Sequence, residues 1–220
     1  MNSSNHSMKL ITNFVNKTLS LFRFGKEWIN RLIDSLIEAG RTDSYVETVN
    51  SAQSDTLHKE IKYIDEYTLK KEFELSVREA LKCLRLGKVK VAIDVTEEPY
   101  WGRNGLYNTR ASIHRKSDLC FQFVNLSIVE PHFIPLMSLP YRQTDDLDKL
   151  CIELLNYLRI LPLKLEVVLF DRGFYHGELI DFLESKKEGK PIPYLIFVPK
   201  NEAMQKYLLE TEGNFGEFLH

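Results

Sequence analysis

The sequence predicts an α/β protein with a mixed β-sheet in its second part and an all-α region before it. Residues 8–86 contain no proline, and their apolar residues recur at helical spacing. After Gly87 the apolar residues recur at every second position, which is typical of β-strands. Because 44% of the 220 residues are hydrophobic, the chain can bury a substantial core. We expect a helical domain over residues 1–86 and an α/β domain over residues 87–220.

The helical region contains a candidate helix-turn-helix. Two helical segments within residues 42–64 are broken near residues 50–55, where Ser54 or Asp55 would cap the second helix. A short helix, a tight connection and a second helix with basic residues are typical of one class of DNA-binding proteins. A plain helical bundle is the alternative. The candidate DNA contacts in this region are His58, Lys59 and Lys62.

The apolar pattern of residues 87–220 predicts the element order β-β-β-α-β-α-β. Its strands are recognised by alternating or continuous apolar residues, and its helices by apolar stripes at a period near 3.6. Three sequential antiparallel strands followed by βα units form a ribonuclease-H-like order, which places the ends of the first and fourth strands side by side. The strands are Lys88–Asp94, Leu119–Val129, His132–Leu139, Leu165–Asp171 and Tyr194–Pro199, and the helices are Asp145–Leu161 and Gly177–Lys187.

Two aspartates close two of these apolar runs. Asp94 closes residues 89–93, and Asp171 closes residues 165–170. A carboxylate just beyond a buried strand is exposed at the rim of the sheet and fixed in direction. Two such carboxylates on neighbouring strands can share divalent metal ions, as phosphoryl-transfer enzymes require. The alternative for each aspartate is a helix cap or a turn.

The residues around these aspartates resemble a known family. VAIDVTEEPYWG (91–102) and VLFDRGFYHGELIDFL (168–183) look like the first two catalytic blocks of IS4-type DDE transposases, the enzymes of insertion sequences. The resemblance spans residues 87–200. It implies metal-dependent DNA cleavage and strand transfer at terminal inverted repeats of double-stranded DNA. Asp94 and Asp171 would be the first two members of the Asp-Asp-Glu triad, which holds two Mg²⁺ (or Mn²⁺) ions.

The third carboxylate of the triad is not found in the sequence. In the family it lies beyond the fifth strand, in a helix with a Tyr, Arg, Glu and Lys pattern. We therefore expect a truncated copy whose catalytic domain is incomplete, and an isolated chain with little catalytic activity. A catalytically inactive DNA-binding remnant, or an inhibitor of a full-length transposase, is the alternative. The glutamates without the family's surroundings are Glu202, Glu210, Glu212 and Glu217.

A haloacid-dehalogenase-like phosphatase is a further alternative, because Asp94 is followed by Val and Thr after a strand. That class expects an aspartate at the position of Thr96. Basic residues near Asp94 are candidates for phosphate contact, with a solvated hairpin loop as their alternative. Arg172 would either orient Asp171 or touch DNA. The basic candidates between the first two strands are Arg103, Arg110, Arg115 and Lys116.

Charge and composition are consistent with this interpretation without specifying it. Residues 1–90 carry 15 Lys/Arg against 12 Asp/Glu (+3), and residues 91–220 carry 14 against 19 (−5). The cysteines Cys83, Cys120 and Cys151 are isolated, which predicts buried thiols in a reducing compartment. No apolar stretch is long enough for a membrane span, and no signal peptide is recognised. We expect a cytoplasmic protein and leave homo-oligomerisation open.

Overall fold

The structure is a computed structural model that describes residues 26–42, 49, 54–56, 59, 63, 65–84, 86–102, 108–111, 118–185 and 191–197. The chain divides into two compact units, Met1–Arg85 and Leu86–His220. The described residues of the second unit form a mixed sheet with helices. The prediction of a mixed α/β protein is therefore confirmed.

In the first unit the structure gives the bounds of two helices, α1 (Lys26–Arg41) and α2 (Glu66–Cys83). The described residues 49, 54–56 and 59 are helical as well, so Ser54 and Asp55 lie within a helix and do not cap it as predicted. The N-cap of α2 is Asp65, whose side chain accepts the Thr68 N–H at 2.8 Å. A side-chain hydrogen bond with Thr68 and, after it, this main-chain hydrogen bond lower the pKa of Asp65, because both stabilise the charged carboxylate. Most of the predicted helix-turn-helix, including His58 and Lys62, lies outside the described residues. Lys59 is exposed.

The second unit is built around one central strand. In chain order its strands are β1 (Lys88–Tyr100), β2 (Arg110–Ala111), β3 (Leu119–Glu130), β4 (Ile134–Pro140), β5 (Lys164–Phe170) and β6 (Tyr194–Ile196). β1 pairs antiparallel with β3 on one side and parallel with β5 on the other. β6 extends the sheet beyond β5 as a parallel strand, and β2 and β4 both pair antiparallel with β3.

The first strand is longer than predicted. We expected it to end at Asp94, but β1 continues to Tyr100 because its antiparallel pairing with β3 continues through Val95↔Val124 to Tyr100↔Leu119. The apolar run marks only the part of β1 that is buried between two neighbours. Asp94 therefore lies within β1, directly after Ile93, where the pairing of β1 with β5 ends. The two-residue strand β2 was not predicted.

One face of the sheet forms the core. Val91 and Ile93 on β1 and Leu126 and Ile128 on β3 point to this face and are at most 1% exposed. The helices α3 (Leu147–Arg159) and α4 (Gly177–Glu184) pack on each other, and α3 also contacts β3. Both helices bury the apolar stripes that the sequence predicts. The opposite face of β1 and β3 carries the polar residues Asp94, Thr96 and Asn125 beside the aromatic residues Phe121 and Phe123, and we call it the carboxylate face because it includes Asp94.

Candidate metal site on the carboxylate face

The strand register brings Asp94 and Asp171 together. The parallel pairing of β1 with β5 has Ile93 and Phe170 as its last partners, and both side chains are buried in the core. Asp94 and Asp171 are the next residues on the two strands. Because side chains alternate along a strand, both carboxylates leave the core face and point to the opposite side. Both residues are exposed, and neighbouring strands lie about 4.8 Å apart.

The two carboxylates are oriented in the same way. Oδ1 of Asp94 accepts the N–H of Val95 at 2.8 Å, and Oδ1 of Asp171 accepts the N–H of Arg172 at 2.7 Å. Asp171 thereby caps the short 3₁₀ turn Arg172–Phe174, whose Phe174 ring packs beside Phe170. Within the described part of the chain, no donor is bonded to the Oδ2 atom of either aspartate. One oxygen of each carboxylate is therefore free to bind a cation.

A third polar side chain lies in the same row. Asn125 on β3 is the Cα partner of Asp94, so the two side chains share the carboxylate face. Its Nδ2 donates a hydrogen bond to Oγ1 of Thr96, the next residue of β1 on that face. Asn125 could not be recognised from the sequence, because a polar residue on the outer face of a half-buried strand is ordinary. Only the register shows that it is opposite Asp94.

The donor chemistry of this row fits a hard divalent cation. Carboxylate and amide oxygens are the ligands that Mg²⁺ and Mn²⁺ prefer, and Mg²⁺ retains water at its remaining positions. No group of three or more His, Cys, Asp or Glu side chains suited to a metal lies among the residues that the structure describes. The glutamates at positions 202, 210, 212 and 217 lie outside those residues. The described site therefore offers two carboxylates and one amide.

Arg110 and Arg172 are the DNA-contact candidates near the sheet that the structure describes. The guanidinium of Arg110 lies 3.8 Å from the centre of the Tyr141 ring, and its Nη1 donates to the carbonyl of Arg142 at 2.7 Å. Arg172 is exposed, and the group that orients Asp171 is its main-chain N–H. Arg103, Arg115 and Lys116 lie outside the described residues. DNA contact by any of these side chains stays a prediction.

The residues that follow Asp94 on β1 are held by β3. The buried Gln122 donates from Nε2 to Oε1 of Glu97 at 2.8 Å, and the Tyr100 ring meets Phe121 edge to face. A Cβ atom at Gly102 would overlap the end of the Tyr100 side chain, so a larger residue there would force this ring to move. Trp101, between these two residues, is 76% exposed.

A carboxylate–imidazole pair links α3 to the segment that follows Asp171. Nδ1 of His176 is 2.8 Å from Oδ1 of Asp148, which belongs to the first turn of α3 and is 9% exposed. His176 is the N-cap residue of α4, five residues after Asp171. The pair therefore ties the segment between β5 and α4 to α3. Sequence analysis missed it, because the two residues are 28 positions apart and match no motif.

The cysteines do not contribute to the site. Cys120 and Cys151 are fully buried, as predicted, but Cys83 is exposed on the last turn of α2, which corrects that part of the prediction. Burial raises the pKa of Cys151 to about 12, with a further contribution from the charge of Asp148. Burial also raises the pKa of Cys120. Neither buried thiol is therefore a nucleophile at neutral pH.

Comparison with known proteins finds one similar structure. No protein-family model matches the chain, and no curated protein matches it. The cryo-EM structure of a piggyBac transposase synaptic complex with hairpin DNA is similar at a TM-score of 0.46 and 15% sequence identity. The match covers 93% of this chain and 44% of that chain, so this chain spans less than half the length of that protein. A likeness of this size assigns neither a family nor an activity.

Among the helices that the structure describes, none combines the length and the apolar character needed to cross a bilayer.

Proposed function

We propose that this chain carries the metal-binding part of a DDE-type transposase with a ribonuclease-H-like sheet, related to the IS4-type enzymes that its sequence resembles. The observation that carries the proposal is the end of the β1–β5 pairing at Ile93↔Phe170. Asp94 on β1 and Asp171, the first residue after β5, are the aspartates of the two sequence blocks and directly follow this last pair. The register therefore supports the proposal that these two carboxylates act together.

The topology supports the ribonuclease-H-like part of the proposal. The sheet order is β2-β3-β1-β5-β6, with β4 also paired to β3, so the first strand lies at the centre between the antiparallel β3 and the parallel β5. This arrangement agrees with the expectation that the ends of the first and fourth predicted strands lie side by side. It leaves the two carboxylates exposed where a phosphodiester can approach.

The reaction would divide between bound cations and the side chains. When bound, divalent ions supply activation of water or of a DNA 3′-hydroxyl and stabilisation of the departing oxygen. Asp94 and Asp171 would hold the ions, each through the oxygen that does not accept a main-chain N–H. The main-chain N–H groups of Val95 and Arg172 hold the opposite oxygens and fix both carboxylates in direction. The exposed Arg172 guanidinium would contact a DNA phosphate.

Two alternatives make different predictions. The first is a protein that binds DNA without cleaving it, and it is favoured by the presence of two carboxylates rather than three among the described residues. The second is the phosphatase, which loses its basis because β1 continues through Asp94 instead of ending there. The experiment below therefore separates DNA cleavage from DNA binding.

The test combines Mn²⁺ calorimetry with a DNA assay on the full chain. Asp94→Asn and Asp171→Asn each remove one carboxylate ligand, whereas Asp181→Asn makes the same change on the exposed face of α4. Loss of an outer-shell partner alone lowers metal affinity by about 10–100-fold, so loss of a direct ligand should cost at least about 100-fold. We expect Asp181→Asn to bind Mn²⁺ as the wild type does.

The DNA substrate is a plasmid that carries the sequence flanking the gene. Because only two carboxylates are found among the described residues of the site, we expect slow Mg²⁺- or Mn²⁺-dependent cleavage by the wild type, at the same rate for Asp181→Asn and none by the other two variants. Retardation of the DNA without cleavage would overturn the enzymatic proposal in favour of the binding protein. Equal Mn²⁺ affinity in all four proteins would overturn the metal site itself.

A further inference from the structure

Asp94 is the middle residue of a row that crosses three strands. On one side, Asp171 follows the last β1–β5 pair, and on the other, Asn125 is the direct partner of Asp94 on β3. Directly paired residues have Cβ atoms about 4.5–5.5 Å apart. A cation bound by Asp94 is therefore within reach of a side chain from either neighbouring strand.

The backbone at Asn125 is firmly held. Its neighbours Val124 and Leu126 are 0% exposed on the core face, and β3 is paired with β1 on one side and with β4 on the other. Asparagine is depleted in strands, so propensity does not explain its place in the middle of β3. Its position on the carboxylate face is set by the alternation of the strand.

The amide of Asn125 is also oriented. Its Nδ2 donates to Oγ1 of Thr96, which leaves Oδ1 as its remaining polar atom. Among the described residues, no donor is bonded to this oxygen. Amide oxygens are good ligands for hard divalent cations, and they bring no negative charge.

We propose that Oδ1 of Asn125 is a third direct ligand of the divalent cation that Asp94 and Asp171 hold. This inference rests on the proposed function, since the cation site is the same. Thr96 acts as a positioning residue, because its hydroxyl holds the amide in the orientation that presents Oδ1. With a neutral third ligand, the site binds its cation more weakly than three carboxylates would.

The test measures Mn²⁺ affinity of the full chain by calorimetry, together with unfolding temperatures in EDTA and in Mn²⁺. Asn125→Ala and Asn125→Ser should each weaken Mn²⁺ binding by about tenfold or more. Asn125→Asp should tighten binding, because it adds a charged oxygen at the same place. It should lower the unfolding temperature in EDTA, where three carboxylates repel, and raise it in Mn²⁺.

The matched controls are Asn156→Ala and Asn156→Asp, on the exposed side of α3, and neither should change Mn²⁺ affinity. Thr96→Val should weaken binding less than Asn125→Ala does. Unchanged affinity in both Asn125→Ser and Asn125→Asp, beside a large loss in Asp94→Asn, would overturn the role of Asn125 and leave the proposed function intact. Absence of any Mn²⁺ binding by the wild type would overturn the proposed function as well.

Discussion

The pair of His176 and Asp148 allows a quantitative prediction about how the Asp171 segment is held. The substitution His176→Ala removes the imidazole that lies 2.8 Å from Oδ1 of Asp148. Only 12% of the Asp148 side chain is exposed, so water replaces the lost partner poorly. Leaving a buried polar group unpaired costs about 1–3 kcal/mol. The free energy of unfolding should fall by that amount.

Chemical denaturation with a double-mutant cycle measures this effect. The cycle compares His176→Ala, Asp148→Ala and the double variant, and we expect an interaction free energy of at least about 0.5 kcal/mol. For a chain of this size, 1 kcal/mol corresponds to about 2–4 °C in Tm. The control is His132→Ala, since His132 is exposed in the turn between β3 and β4. Strict additivity of the two single substitutions would refute the coupling.

Three further predictions concern other parts of the molecule. An aromatic disulfide reagent at pH 8 should label one thiol of the native chain, and Cys83→Ser should abolish this labelling. The reason is that Cys120 and Cys151 are buried and have raised pKa values. Rapid labelling of the native Cys83→Ser protein would contradict the structure. Leu126→Ala should lower the free energy of unfolding by about 2–5 kcal/mol in urea denaturation, since Leu126 is 0% exposed. The control is Leu195→Ala, at a residue that is 54% exposed. An equal loss of unfolding free energy in both variants would show that the core is wrongly placed. Hydrogen bonding with Thr68 lowers the pKa of Asp65 below 3.8 in the folded protein. The charged Asp65 cap therefore stabilises α2 above pH 3.8, and this stabilisation is lost as the pH falls through the pKa of the folded state. Circular dichroism should show a smaller acid-induced loss of helix in Asp65→Asn than in the wild type, and identical acid profiles would argue against this cap.

Much of the second unit could be predicted from the sequence because its signals are local. The alternation in β3 and the apolar stripes of α3 and α4 each depend on a few neighbouring residues. The predicted helices extended two or three residues too far, since apolar spacing does not record where capping groups such as Asp146 interrupt the helix.

The candidate site was predictable only in part. Asp94 and Asp171 were found because each closes an apolar run within a recognisable block. Asn125 and the Asp148–His176 pair depend on which strands and helices become neighbours, and no local pattern records that. The length of β1 was missed for the same reason, since residues 95–100 are strand only because β3 pairs with them.

The measurement that tests the central claim most directly is a crystal structure of the full chain soaked in Mn²⁺, with anomalous data. We predict an anomalous peak about 2.0–2.2 Å from Oδ2 of both Asp94 and Asp171, bridging β1 and β5. Side chains that diverge from each other, or a site without a peak at saturating Mn²⁺, would contradict the claim that these two aspartates share a cation.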